Sequence, residues 1–392
     1  MATPGNTPLL VLTEVFPPQL GGSGRWLWEL YRRLPDFDVT VVAGSADGAS
    51  RFDRTSPLRV ERLKGRAVSW GVSNPRSAVW HAVAARRLRR SIAARRPAAI
   101  HCGKVLPEGL IALLARAPRR IPVWCFAHGE EFTLSETSRE LRLLTRFVLA
   151  RAATVIANSQ NTRNILVDRW GLVGDRIIVL TPGVNTTRFA PAEPDPIVRE
   201  RLGWTGRRVI LTVGALQKRK GQDMLIRALP SIRRECPDVL YAIAGEGWER
   251  NYLEDLALEH GVLDAVRFVG APDEGELVCL YQQCDLFALP NRQVGWDFEG
   301  FGIVLLEAQA CGKPVITGSS GGTVETIIPN ETGLALACEE PEGLASACAR
   351  LLSDPVRRAK MGARGRAWVE ECFDWTILAQ RASAAFLERL AT

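Results

Sequence analysis

The chain is poor in the residues that build metal centres and disulfide frameworks. It has only 4 histidines in 392 residues, and its 9 cysteines are scattered with no CxxC pair. That pattern argues against a zinc ribbon or a disulfide-stapled scaffold and fits the reduced thiols of a cytosol. No apolar run approaches the roughly 20 residues that a membrane-spanning helix needs. The opening "MATPGNTPLLVL" has no basic segment followed by an apolar core, so no secretory signal is expected. Internal repeats and low-complexity tracts are also missing. A cytoplasmic globular protein is the expectation, with enough chain for two or three cores.

Lysine is the other scarcity. Only 6 of the 50 basic residues are lysine, so the charge is carried by arginine. Residues 1–190 hold 28 basic against 14 acidic side chains, whereas residues 191–392 hold 22 against 29. A basic first half suits an anionic partner such as a membrane surface. A genome-wide preference for arginine accounts for the same numbers. Nucleic acid is not expected as a partner, because no aromatic platform or base-reading module accompanies the charge.

Short apolar runs alternate with helical stretches throughout. "PLLVLTEVF", "DVTVVAG", "PAAIHCG", "IPVWCFAHG" and "TVIANS" read as strands of the first half. "RRVILTVGAL", "VLYAIAGEG", "VRFVG", "CDLFALP" and "PVITGSSGG" repeat the pattern in the second. Strand–helix alternation at this pitch predicts parallel sheets covered on both faces. The fold class is therefore α/β, with two doubly wound domains at residues 1–184 and 185–374. The turn-rich "NTTRFAPAEPDP" reads as a linker and hinge, and a last helix over 375–392 is expected to pack back on the first domain. Ligands in such sheets bind at the C-terminal ends of the strands.

Four groups of residues fall at such ends. Gly21 and Gly22 lie in "GGSG" after the first strand, without the full dinucleotide-binding spacing. His128 ends "VWCFAH". "VGALQKRKG" places two of the six lysines, Lys218 and Lys220, around Arg219 and between Gly214 and Gly221, as a diphosphate clamp would. In "EGFGIVLLEAQACGKPVI", Gly300, Phe301 and Gly302 lead into a short apolar helix. Backbone N–H groups at such a helix start attract an anion. Glu299 stands before that turn and Glu307 eight residues later, carboxylates placed to meet sugar and ribose hydroxyls. "GSSGGTVETI" adds Gly321 and Gly322. The lone Asp-x-Asp, Asp36 to Asp38, reads as a turn, and no metal is expected.

Together these segments resemble the family 4 glycosyltransferases of the GT-B fold, whose E-x7-E motif matches Glu299 and Glu307. The likeness runs through "PGVNTTRFAP", "VGALQKRKG", "AGEG" and "FDWTILAQRASAAFLERL", and the wording around Glu307 is similar to the mannosyltransferases that act on phosphatidylinositol mannosides. The resemblance implies two Rossmann-like domains facing across a cleft and a retaining, metal-independent hexosyltransferase. Its co-substrate would be a nucleoside-diphosphate sugar, GDP-mannose ahead of a UDP-sugar, and its acceptor a glycan or glycolipid. It assigns Glu307 to the ribose, Glu299 to the transferred sugar, and the backbone from Phe301 through Ile303 to Val304 to sugar and diphosphate. Lys220 would neutralise the leaving group, Gly21 and Gly22 would admit the diphosphate, and His128 would orient the sugar. One departure is Ala215, where the family commonly carries arginine; Lys218, ahead of Arg219, is the expected substitute. Ala215 also keeps open a catalytically weak binding subunit, and the shared nucleotide recognition keeps open a nucleotide-sugar epimerase.

Overall fold

Two parallel sheets dominate the computed structural model, which describes residues 7–19, 21–65 and 67–391. The first has the order β3-β2-β1-β4-β5-β6-β7. Its strands are β1 (Thr7–Thr13), β2 (Phe37–Ala43), β3 (Arg59–Arg62), β4 (Ala99–Cys102), β5 (Val123–Ala127), β6 (Thr154–Ala157) and β7 (Ile177–Val179). The second has the order β10-β9-β8-β11-β12-β13. Here the strands are β8 (Arg208–Val213), β9 (Val239–Ala244), β10 (Val266–Gly270), β11 (Leu286–Leu289), β12 (Val315–Gly318) and β13 (Gly333–Leu336). In each sheet the strand order reverses direction once, between β1 and β4 and between β8 and β11. Loops leaving the strands on either side of such a reversal splay apart and leave room for a ligand.

Apart from the edge strand β3, the strands are largely apolar because both faces of each sheet are covered. Successive residues point to opposite faces. In the first sheet Leu10, Leu12, Ile100 and Val123 pack with Leu88 and Ile92 of the Pro75–Arg95 helix. Leu9, Val11, Trp124 and Phe126 pack on the other face with Trp26, Leu30 and Phe386. The second sheet buries Ile210, Tyr241 and Ile316 against Leu225, Ile232 and Leu351. On its opposite face Leu211, Phe287 and Val315 meet Leu305, Leu306 and Val369.

The chain forms two compact units, one running to Pro182 and resuming at Trp375, the other spanning Gly183–Asp374. The Trp375–Ala391 helix belongs to the first unit. Phe386 sits edge-on to Trp124 and His101 at 5.4 and 4.8 Å, and Ser383 donates to Asp36 Oδ2 at 2.6 Å. Asp36 lies in the turn before β2, as the sequence suggests, and serves this anchor.

The linker reading of "NTTRFAPAEPDP" needs correction. Phe189 is fully buried in the second unit. Arg366 Nη1 donates to the carbonyls of Thr186, Phe189 and Ala310 at 2.9, 2.7 and 2.7 Å. Asn185 Oδ1 accepts from the Thr187 and Arg188 amides, and Gln282 donates to the Ala190 carbonyl. Turn-forming composition marks where the chain bends and is blind to whether the bend is pinned. The chain passes between units at 182–183 and again at 374–375.

Candidate functional site

In the second unit, β8 ends at Val213 and the backbone turns through Gly214 into a single helical turn over Lys218–Lys220. Gly221 closes that turn with φ of 74°, and a Cβ there would lie 1.8 Å from the Pro290 carbonyl oxygen. Only glycine permits this approach, which locks the turn to the segment leaving β11. The lock is doubled by Arg292. Its backbone N–H donates to the Arg219 carbonyl at 2.9 Å, and its guanidinium grips Asp223 with two bonds of 2.8 and 2.7 Å.

Lys220 is 9% exposed, and its Nζ lies 2.6 Å from Glu299 Oε2. Arg219 Nη1 donates to the same carboxylate oxygen, while its Nε reaches Asp297 Oδ2 at 3.3 Å. Gly214 lies beneath this group, where a Cβ would be 3.7 Å from Lys220 Nζ. Lys218 is exposed, as is Ala215. Of the two cations expected to stand in for the family arginine, Arg219 therefore meets Glu299 and Lys218 does not.

Glu299 is held through its backbone. Its carbonyl accepts from the Gly322 amide at 3.0 Å, and Gly321, at φ of 74°, packs so closely that a Cβ would come within 2.1 Å of that oxygen. Gly300 follows, the Phe301 side chain is buried in the core, and Gly302 caps the Ile303–Ala310 helix. Gly302 makes no side-chain cap, so the half-buried Ile303 and Val304 begin a helix whose first N–H groups have no partner within it. The helix ends at Ala310 with Gly312 just beyond, and β12 follows as expected. Glu307 is 3% exposed, and its Oε2 accepts from the Tyr281 hydroxyl at 2.8 Å.

Tyr281, Asp297, Asp223 and Arg292 were not singled out by sequence. Tyr281 is one of only 4 tyrosines, which is the one signal that could have drawn attention to it. Among the described residues no group of three or more His, Cys, Asp or Glu is gathered as for a metal.

In the first unit, His128 follows β5 and is 8% exposed. Its Nε2 donates to the Gly103 carbonyl at 2.7 Å, and Trp26 meets the ring edge-on at 5.2 Å. The His128 amide donates to Glu131 Oε1, and its carbonyl accepts from Asn158, both at 2.8 Å. The ring is thus fixed in orientation at the ends of β4 and β5. Gly21 and Gly22 are exposed at the start of the Gly22–Tyr31 helix.

Near the same strand ends Glu108 accepts from the Glu14 amide at 2.9 Å, while its second oxygen is buried without a partner. Burial pushes this carboxyl up to about 8, against the weaker downward pulls of the Glu14 amide and of Lys104, while the Glu14 charge pushes it up more weakly still. Sequence gave no reason to select it.

The chain matches two family profiles, "Glycosyltransferase Family 4" over residues 20–188 and "Glycosyl transferases group 1" over 195–368. It is 35% identical to the GDP-mannose-dependent alpha-(1-6)-phosphatidylinositol monomannoside mannosyltransferase of Mycolicibacterium smegmatis, covering 94% of this chain and 95% of that one. The GDP-mannose-dependent monoacylated alpha-(1-6)-phosphatidylinositol monomannoside mannosyltransferase of Corynebacterium glutamicum is 32% identical, over 95% and 96% of the two chains. Among solved structures, Anabaena HepE in complex with UDP superposes with a TM-score of 0.79 at 21% identity, covering 97% and 99%.

Proposed function

The chain belongs to glycosyltransferase family 4, with the GT-B fold, and on that premise we propose that it transfers mannose from GDP-mannose to a hydroxyl of a mannosylated phosphatidylinositol, with retention at the anomeric carbon. The observation that carries this reading is the convergence of Arg219 and Lys220 on Glu299, one helix start away from Glu307. Two cations suit a leaving diphosphate, and two carboxylates suit the hydroxyls on either side of it. The full-length relatives at 32–35% identity carry GDP-mannose in their names, which favours that donor over a UDP-sugar.

In the reaction the bond from the anomeric carbon to the terminal phosphate oxygen breaks, and that oxygen keeps the electron pair. A bond forms to the acceptor oxygen, whose proton passes to the departing phosphate. Lys220 and Arg219 stabilise the charge that grows on that phosphate. Glu307 accepts from the ribose and Glu299 from the sugar, while the amides of Ile303 and Val304 meet the phosphates. Phe301 contributes backbone alone, since its ring belongs to the core. His128, its ring oriented by Gly103, contacts the sugar.

A lipid acceptor calls for attachment to an anionic membrane, and the Pro75–Arg95 helix supports it. Arg86, Arg87, Arg89 and Arg90 are exposed there beside Val79 and Val83, which are 63% and 58% exposed. A groove of about 290 Å³ lined by Trp80, Val83, Arg86, Arg87 and Arg90 adjoins β3. No helix among the described residues is long and apolar enough to cross a bilayer. Basic residues near an anionic surface contribute about 1 kcal/mol each.

The test is turnover of GDP-mannose against UDP-glucose and UDP-N-acetylglucosamine on vesicles of mannosylated phosphatidylinositol, with the product's anomeric configuration read by NMR. An α-linked mannose product is expected. Turnover of donor without acceptor would favour an epimerase instead, and no turnover of any donor would favour a binding subunit.

A further inference from the structure

Trp296 is 56% exposed at the tip of a tight hairpin, in the segment that joins β11 to Glu299. Val294 and Asp297 exchange both backbone bonds across it. The Val294 amide donates to the Asp297 carbonyl at 2.9 Å, and the Asp297 amide to the Val294 carbonyl at 3.0 Å. Gly295 takes the first central position with φ of 60°, the left-handed conformation that such a two-residue turn asks of glycine. Gln293 Nε2 braces the tip by donating to the Gly295 carbonyl at 2.8 Å. Both legs of the hairpin are tied to the Lys218–Lys220 turn. On one side the Arg292 amide bonds the Arg219 carbonyl, and on the other the Asp297 carboxylate meets Arg219 Nε.

A single apolar side chain on a surface needs no explanation. This one is held out by a turn tied on both sides, three residues before the carboxylate assigned to the transferred sugar. Three residues span at most about 11 Å, the reach of a second sugar ring linked to the first. We propose that Trp296 is an acceptor platform, its indole face packing against the C–H face of the hexopyranose whose hydroxyl receives the mannose. The inference rests on the donor-site reading above and deepens it by naming a residue that holds the acceptor.

A pyranose gathers C–H bonds on its faces and points its hydroxyls around the rim. The indole face carries the negative lobe of the ring quadrupole, which attracts the positive ends of those C–H bonds. Stacking also removes apolar surface of both partners from water. The rim hydroxyls need acceptors, and Asp297 supplies one. Its side chain is 41% exposed, and a carboxylate has lone pairs enough to keep Arg219 and accept from a hydroxyl as well. Through Asp297 and Arg219 the platform is joined to the cations that meet the leaving diphosphate. One braced piece of backbone thus positions both the acceptor and the leaving group.

The experiment is steady-state transfer from GDP-mannose to mannosylated phosphatidylinositol on vesicles, for the wild type, Trp296→Ala, Trp296→Leu and Trp296→Phe, each first shown to be folded by thermal unfolding. Trp296→Ala should raise the KM for acceptor about tenfold, the order of a lost aromatic contact. Trp296→Leu keeps an apolar side chain without a π face and should resemble it, whereas Trp296→Phe should restore most of the wild-type value. GDP binding by calorimetry, which involves no acceptor, should be the same in all four.

A Trp296→Ala acceptor KM equal to that of the wild type would overturn the platform and leave the donor site standing. Weaker GDP binding in step with the KM would overturn it too, by putting Trp296 in the donor clamp. Cosedimentation with vesicles lacking the acceptor tests a third role: if Trp296→Ala loses vesicle binding as far as it loses acceptor, Trp296 is a membrane contact and the platform falls. A wild type that transfers no mannose from GDP-mannose would remove the donor reading and the inference with it.

Discussion

Tyr281 and Glu307, 26 residues apart in the chain, meet through a 2.8 Å hydrogen bond from the phenol to Glu307 Oε2. The tyrosine is fully buried, with its ring 5.8 Å from Phe189 and 5.6 Å from Phe287. The aromatic cluster fixes the phenol, and the phenol fixes which way the carboxylate presents its other oxygen. Tyr281→Phe should therefore raise the KM for donor several-fold with a smaller change in kcat. Glu307→Ala should raise it further. Steady-state kinetics on both variants checks this; a Tyr281→Phe enzyme with wild-type KM would leave the phenol a purely structural role.

In the proposed reaction Lys220 acts on charge that develops as the donor bond breaks, so its loss should fall on kcat. Removing one such donor typically costs about 2.7–4 kcal/mol, or a hundred- to a thousandfold in rate. Lys220→Ala should lose turnover on that scale while ground-state donor affinity changes much less. The complementary variant is Ala215→Arg. Ala215 is exposed, so the longer side chain fits without repacking, and it should lower the KM for donor. Isothermal titration and single-turnover rates separate the two effects.

The Asp223–Arg292 pair is a brace between the segment after β11 and the turn that carries Lys220. Both side chains are largely shielded, at 7% and 14% exposure. Breaking such a pair leaves one charge buried alone and costs several kcal/mol. Arg292→Ala should lower the melting temperature of the second unit by several degrees and reduce kcat as the Lys218–Lys220 turn loosens. A melting temperature within a degree of wild type would show that the backbone bond from Arg292 to Arg219 suffices.

Glu108 links stability to pH. Its folded-state pKa is raised from an ordinary 4.5 to about 8, so the folded protein holds a proton that the unfolded chain releases. Its contribution is complete below about pH 4.5, declines as pH rises, and is gone by about pH 8. The limiting slope is about 1.4 kcal/mol per pH unit. Glu108→Gln, which stays neutral, should therefore be increasingly more stable than wild type from pH 5 to pH 8. Thermal unfolding across that range tests the point, and a constant difference between the two proteins would contradict it.

Much of the fold was legible because most of the central parallel strands are apolar runs closed by a glycine, proline or histidine. "PVIT" before Gly318 and "VWCFA" before His128 are examples. The motif glutamates and the lysine pair stood out by type and spacing. Their pairing did not, because which of Lys218, Arg219 and Lys220 turns inward depends on one helical turn ending at Gly221. Glu108 was invisible for a related reason: a carboxyl in "LPEGL" looks solvated until Glu14, just past β1, is seen to supply it an amide. The segment around Phe189 misled through composition. A turn does follow Asn185, at 186–188, but Arg366 pins it by donating to the carbonyls of Thr186 and Phe189.

The Trp375–Ala391 helix completes a core begun by β1, while Gly183–Asp374 lies between them in the chain. During synthesis the face of the first unit that receives Phe386 stays uncovered until Gly183–Asp374 and the helix after it have been made. The second unit faces no such delay. Its two ends are joined side by side, with the Val184 amide bonded to the Phe373 carbonyl at 2.9 Å and Thr186 Oγ1 to Asp374 at 2.6 Å. It can close on itself as it emerges. The unit whose synthesis begins first is thus the one whose core is completed last.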